Sequence, residues 1–95
     1  MLVSIVIPCY NSEQTIGKVV ELAIEEFEKL KDYECEFVLE NDYSRDKTWK
    51  SIHALTEKYP NVKGINLAKN FGQHNAIMAG MNYAQGELIL GMDDD

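Results

Sequence analysis

The feature that most restricts the fold is an alternation of two residue patterns along the whole chain. Leu2–Ile7 is short, apolar and rich in β-branched residues, and Pro8 stops it. Such a run fits a strand buried in a parallel sheet. From Ile16 the apolar residues recur at Ile16, Val19, Val20, Ala23, Phe27 and Leu30, while Glu21, Glu25, Glu26 and Glu28 fall mostly on the other face. That is the stripe of an amphipathic helix. Asn11 with Gln14, or Ser12 alone, supplies its expected N-cap. The pattern then repeats. Glu36–Glu40, centred on Phe37, Val38 and Leu39, predicts a second strand. Asn41–Ser44 is turn chemistry, with Ser44 or Asp46 as the next cap. Trp49, Ile52, Leu55 and Tyr59 form a second helical stripe, closed by Pro60. Val62–Leu67 predicts a third strand, and Asn70–Asn75 is a polar loop holding Gly72. Ala76, Ala79, Gly80 and Tyr83 then predict a third helix ended by Gly86, before a fourth strand over Glu87–Met92.

The order βαβαβαβ, with short connections, implies an α/β fold: a parallel sheet with right-handed crossovers and helices packed on its faces. Composition agrees. The 95 residues are 45% apolar and 26% charged, too apolar for a disordered segment and too few for two full domains. No apolar run approaches the roughly 18 residues of a membrane helix. The first residues lack the basic flank and cleavage site of a signal peptide, so they read as a strand. With 16 acidic residues against 9 Lys and Arg, the formal charge is −7, which argues against a nucleic-acid binder. Cys9 and Cys35 belong to no CxxC pair and are expected to be reduced thiols in a cytoplasmic protein.

In an open parallel sheet, ligands gather outside the carboxyl ends of the strands. That rule selects Pro8–Glu13, Asn41–Asp46, Lys69–Asn75 and Asp93–Asp95, which hold nearly all the polar residues that amphipathicity leaves unexplained. The glycine-rich phosphate loops GxGxxG and GxxxxGK[ST] are missing. Instead the edge carries Asp42, Asp93, Asp94 and Asp95 with few cations nearby. Clustered carboxylates repel one another and call for a bound cation. Oxygen ligands suit Mg²⁺ or Mn²⁺, which would bridge an acidic protein to a diphosphate. A solvated acidic turn accounts for Asp93–Asp95 equally well on the residues alone. Asp42, at a strand end, could accept hydrogen bonds from a base or ribose. Tyr10 offers a ring face to a base or packs half-buried, and His74 reads as a loop or cap residue. Trp49, Met78, Met81 and Met92 are expected in the core.

The motifs also resemble a known family. Val6-Ile7-Pro8-Cys9-Tyr10-Asn11 is similar to the opening strand of family 2 glycosyltransferases with the GT-A fold. Glu40-Asn41-Asp42-Tyr43-Ser44-Arg45-Asp46-Lys47-Thr48 resembles their D-D-x-S-x-D-x-T segment. Asn70-Phe71-Gly72-Gln73-His74-Asn75-Ala76-Ile77-Met78-Ala79-Gly80 resembles the N-F/Y-G-x-x-x-A-x-x-A-G stretch of the branch that glycosylates polyprenyl or dolichyl phosphate. Asp93-Asp94-Asp95 stands where that family has its D-x-D metal motif. The four come in family order and cover essentially the whole chain.

The resemblance implies a three-layer, Rossmann-like nucleotide-diphospho-sugar transferase domain, of which residues 1–95 are the N-terminal nucleotide-binding part, cut at the D-x-D motif. It implies that Pro8, Tyr10 and Asp42 line the nucleoside pocket, with Asn11, Glu13 and Asp94 also on the nucleotide. Asn70 and Gly72 would close over the nucleotide, and Asp93 and Asp95 would hold Mg²⁺ or Mn²⁺. Three positions depart from the pattern. Ser12 stands where Glu often follows the Tyr-Asn pair, with Glu13 next. Asn41 replaces the first acid of the D-D pair, after Glu40 in place of an aliphatic residue. Lys69 replaces an Arg, keeping charge but losing a bidentate fork. The implied activity is transfer of a sugar from a UDP- or GDP-sugar to polyprenyl phosphate or a glycan, at the inner face of the cell membrane, in cell-envelope synthesis. No catalytic base is identified, and the chain alone is expected to bind nucleotide weakly without turnover. The alternative, should the natural chain end at Asp95, is a non-catalytic nucleotide- or metal-binding module.

Overall fold

Four strands form one sheet in the order β3-β2-β1-β4, and every neighbouring pair is parallel. The structure is a computed structural model that describes residues 1–42, 44–67 and 80–92. Along the chain come β1 (Leu2–Cys9), α1 (Ile16–Glu28), β2 (Glu34–Asn41), α2 (Thr48–Lys58), β3 (Val62–Asn66) and β4 (Leu88–Gly91). The first part of the expected third helix, Ala76–Ala79, lies outside the described residues; Gly80 and Met81 are helical, and Asn82 and Tyr83 turn.

Strand alternation separates two faces. On one, Val3, Ile5, Ile7 and Cys9 of β1 and Phe37 and Leu39 of β2 meet Ile16 and Val20 of α1 and Ile52 and Leu55 of α2. Val19, Ala23, Ile24, Phe27, Trp49 and Tyr59 pack around them. Burying one large aliphatic side chain there contributes about 2 kcal/mol. Leu30, read as part of the stripe, is exposed because α1 ends two residues earlier.

The opposite face is polar at one end. Ser4 Oγ donates to Glu36 Oε2, and Gln85 N–H donates to the same oxygen at 2.6 Å. Lys63 Nζ lies 2.9 Å from Glu36 Oε1 and donates to the Tyr83 carbonyl at 3.3 Å. Gly86 N–H donates to Ser4 Oγ at 2.7 Å. A Cβ on Gly86 would sit 2.5 Å from that hydroxyl and 2.7 Å from the Ser4 nitrogen, so only glycine permits the approach. This network fastens residues 83–86 to the sheet and delivers the chain to β4, where Glu87 N–H donates to the Leu2 carbonyl.

Three further expectations are corrected. Pro8 lies within β1 rather than stopping it, paired in register with Glu40. The Val6 carbonyl faces β4, accepting from Met92 N–H, and the Cys9 carbonyl faces β2, accepting from Asp42 N–H. Alternation turns Pro8 toward β4, whose ladder ends at the Val6–Gly91 pair, so its missing N–H is not required. Met81 and Met92 are exposed rather than core, and so are Leu88, Ile89 and Leu90. In the described sheet β4 is an edge strand, paired only with β1. Neither Asn11 nor Ser12 caps α1 through its side chain. The Ser12 carbonyl receives the Thr15 and Ile16 N–H groups, and the Asn11 side chain is used elsewhere.

Candidate functional site

The loops after β1 and β2 are clasped to each other at the carboxyl edge. Asn11 has a φ of 52°, a left-handed conformation that asparagine tolerates better than most residues. There its N–H donates to Ser44 Oγ at 2.9 Å, and its Oδ1 accepts the Arg45 N–H at 3.0 Å. Ser12 N–H donates to Thr48 Oγ1 at 2.7 Å, and Ser51 Oγ donates to the Glu13 carbonyl at 3.2 Å. Asp46 Oδ2 accepts the Glu13 N–H at 3.3 Å. Its Oδ1 accepts the Thr48 N–H at 2.9 Å and the Thr48 hydroxyl. Neither expected residue is the N-cap of α2: that position is Lys47, without a side-chain cap bond, while Asp46 just before it takes the Thr48 N–H and Ser44 serves the clasp. Burial works against the Asp46 charge, but the Thr48 and Glu13 donors outweigh it and hold the carboxyl below its ordinary range. Asp46→Ala is expected to cost about 1 kcal/mol of unfolding free energy in urea denaturation. An unchanged midpoint would deny that these bonds fix the loop.

Asn41 explains itself in the same way. Its Nδ2 donates to Asn66 Oδ1 at 2.8 Å, and its Oδ1 accepts the Ser44 N–H at 3.2 Å. A carboxylate could not make the first of these bonds. The amide ties β2 to β3 and to the loop, a structural use for a position where the resemblance leads one to expect an acid.

These bonds bring together five of the expected residues. Pro8 is buried at the end of β1, and Tyr10 follows it with 48% of its surface exposed. Asn11 holds the loop, and Asp42, only 3% exposed, is joined to β1 by its own N–H on the Cys9 carbonyl at 2.9 Å. Glu13 enters through its backbone, with an exposed side chain. Asn70, Gly72, Asp93, Asp94 and Asp95 lie outside the described residues, as does Tyr43. Among the described residues no cluster of three metal-ligating side chains occurs. An open cleft of about 350 Å³ lies at the amino end of β2, lined by Phe27, Tyr33, Cys35 and Tyr59 among others. It contains none of the expected site residues. The Cys35 thiol in it is raised above its ordinary pKa chiefly by burial.

One residue escaped the sequence reading as a site component. Glu40 is fully buried near the end of β2, two positions before Asp42. Among the described residues, neither of its carboxylate oxygens has a well-formed hydrogen bond. Burial, reinforced by the Asp42 charge and only partly offset by the Gly80 N–H, pushes its carboxyl up to about 7. Its signal in the sequence was an acid at the end of the apolar run Phe37-Val38-Leu39.

Residues 4–95 match the family described as glycosyl transferase family 2. The chain belongs to that family. Among curated family 2 relatives, it is 39% identical over 95 residues to the prophage bactoprenol glucosyl transferase homolog of Escherichia coli K12, covering 100% of this chain and 31% of that protein. It is 42% identical over 95 residues to an undecaprenyl-phosphate 4-deoxy-4-formamido-L-arabinose transferase of Shewanella sediminis, covering 98% and 28%. The chain thus spans under a third of the length of these relatives. Among solved structures, Staphylococcus aureus TarS 1-349 in complex with UDP superimposes with a TM-score of 0.80 at 32% identity, over 100% of this chain and 28% of that one. The parallel sheet with alternating helices is accordingly the glycosyltransferase fold that the motif order implied.

Proposed function

We propose that residues 1–95 form the donor-nucleotide half of a metal-dependent glycosyltransferase, which moves a sugar from a UDP- or GDP-sugar to polyprenyl phosphate in cell-envelope synthesis. The observation that carries the reading is the carboxyl edge itself. Two adjacent strand ends present a buried carboxylate, Asp42, and an exposed aromatic ring, Tyr10, on loops fixed by at least six hydrogen bonds. A carboxylate can accept from the N–H of a base while a ring stacks on it. Pro8, Asn11 and Glu13 complete this side of the nucleotide, and Asn70, Gly72 and Asp94 are assigned to the same ligand. The names of the relatives, which specify bactoprenol and undecaprenyl phosphate, support the acceptor.

The carboxylates of Asp93 and Asp95 are the oxygen donors suited to Mg²⁺ or Mn²⁺. A bound divalent ion would supply Lewis-acid stabilisation of the departing nucleoside diphosphate. A phosphate acceptor is already anionic and needs little base catalysis. Transfer to a polyprenyl phosphate places the reaction at the inner face of the cell membrane. Among the described residues no helix is long and apolar enough to cross one. A chimera in which this chain replaces the matching segment of the Escherichia coli relative tests the reading. Given nucleotide sugars and undecaprenyl phosphate, the folded chimera should form a glycolipid that requires Mg²⁺ or Mn²⁺. Product formed equally in EDTA would contradict the metal assignment, and no product from any donor would contradict transfer.

A further inference from the structure

Glu40 is the one fully buried carboxyl whose oxygens lack well-formed hydrogen bonds among the described residues, and it stands two positions before Asp42, within reach of its charge. The space it occupies is specific. A Cβ on Gly80 would stand 2.2 Å from Glu40 Oε1 and 2.6 Å from Val6 Cγ1, so the carboxyl fills the gap that a glycine leaves. Its neighbours in the sheet are Pro8 on β1 and Ile65 on β3, neither of which titrates. Gly80 contributes only a backbone N–H, and Lys63 is committed to Glu36. Among the described residues, Asp42 is the single charge that acts on Glu40. An ionised carboxylate with one backbone donor and no cation among the described residues is costly in such a place, whereas the neutral acid is tolerated.

We propose that Glu40 is a proton-carrying positioning residue behind the nucleotide site: protonated, it lets Asp42 and an anionic nucleotide occupy the strand ends together, and ionised, it weakens that ligand. This deepens the nucleotide reading and rests on it. The linkage is reciprocal. Bringing a diphosphate to the edge adds negative charge and draws a proton onto Glu40 from solvent, while releasing the proton leaves two carboxylates and a diphosphate in mutual repulsion. No bond in the ligand is made or broken by this step.

Two measurements test it. In the ligand-free chain, the Glu40 side-chain carboxyl carbon should titrate by NMR with a midpoint of about 7, falling in Asp42→Asn. The second uses UDP-glucose, whose diphosphate diester does not titrate near neutrality, with Mn²⁺ held constant. Its dissociation constant should rise about tenfold between pH 6 and pH 8 in the native chain and stay flat in Glu40→Gln. A Glu40 midpoint in the ordinary carboxylate range overturns the proposal. So does UDP-glucose affinity with no pH dependence, which leaves nucleotide binding standing. Absence of UDP-glucose binding at every pH in both proteins overturns the nucleotide reading and the proposal with it. If Glu40→Gln fails to fold, the native titration together with the native pH profile decides the matter.

Discussion

Glu36→Ala is expected to lower the unfolding free energy by about 3 kcal/mol. The loss would appear as a shifted midpoint in urea denaturation. Glu36 is 6% exposed and gathers Ser4, Gln85 and Lys63 on its two oxygens. Removing it leaves the Gln85 N–H and the Ser4 hydroxyl without their acceptor, and frees Lys63 toward solvent. The same contacts make the effect pH-dependent. Burial opposes ionisation of Glu36, but the bonds from Ser4, Gln85 and Lys63 prevail and hold its carboxyl below 4.5. Its contribution is therefore fully present above pH 4.5 and is lost as pH falls through the lowered folded value. Glu40 has the opposite sign. Its raised carboxyl favours the folded state while protonated, and that advantage disappears as pH rises from 4.5 to about 7. These two groups together place the stability maximum near their shared unperturbed value of 4.5. In Glu36→Ala the acid limb of that profile should flatten while the Glu40 limb remains. An Ala variant as stable as the native chain would mean that residues 83–86 are held by something else.

Gly80→Ala is the second large effect, an expected loss of about 2–3 kcal/mol from overpacking. The carboxyl end of Glu40 could move aside, but Val6 is a buried β-branched side chain of β1 and has nowhere to go. Gly17 provides the control. A Cβ there meets nothing within 4 Å, so Gly17→Ala in α1 should stabilise by about 0.5–1 kcal/mol. Equal effects at the two glycines, read by thermal unfolding, would show that Gly80 is not closely packed.

Much of the fold was legible because periodicity reports on burial. The β-branched run at Leu2–Ile7 and the stripe Ile16, Val20 and Phe27 both pack as their spacing demands. The limits appear where burial is decided by neighbours in space. Leu88, Ile89, Leu90 and Met92 read as a core strand, yet β4 has one partner and lies uncovered among the described residues. Pro8 looked like a stop because a single chain does not reveal which side of a strand is unpaired. At the site, the strand-end rule selected Tyr10, Asn11 and Asp42 correctly as neighbours. It gave no hint that Asn11 would spend its side chain on Arg45, or that Asp46 and Thr48 would join the two loops. Such bonds depend on side-chain reach across a sheet edge. Glu40 was visible as an odd acid in an apolar run, but only the packing of Gly80 shows why it fits.

The most direct measurement of the central claim is calorimetric titration of the chain with UDP, with and without Mn²⁺, beside Asp42→Ala. The account predicts weak binding that strengthens with Mn²⁺ and falls at least about tenfold in the variant, whose circular dichroism should match the native chain. Metal-independent binding, unchanged in Asp42→Ala, would contradict it.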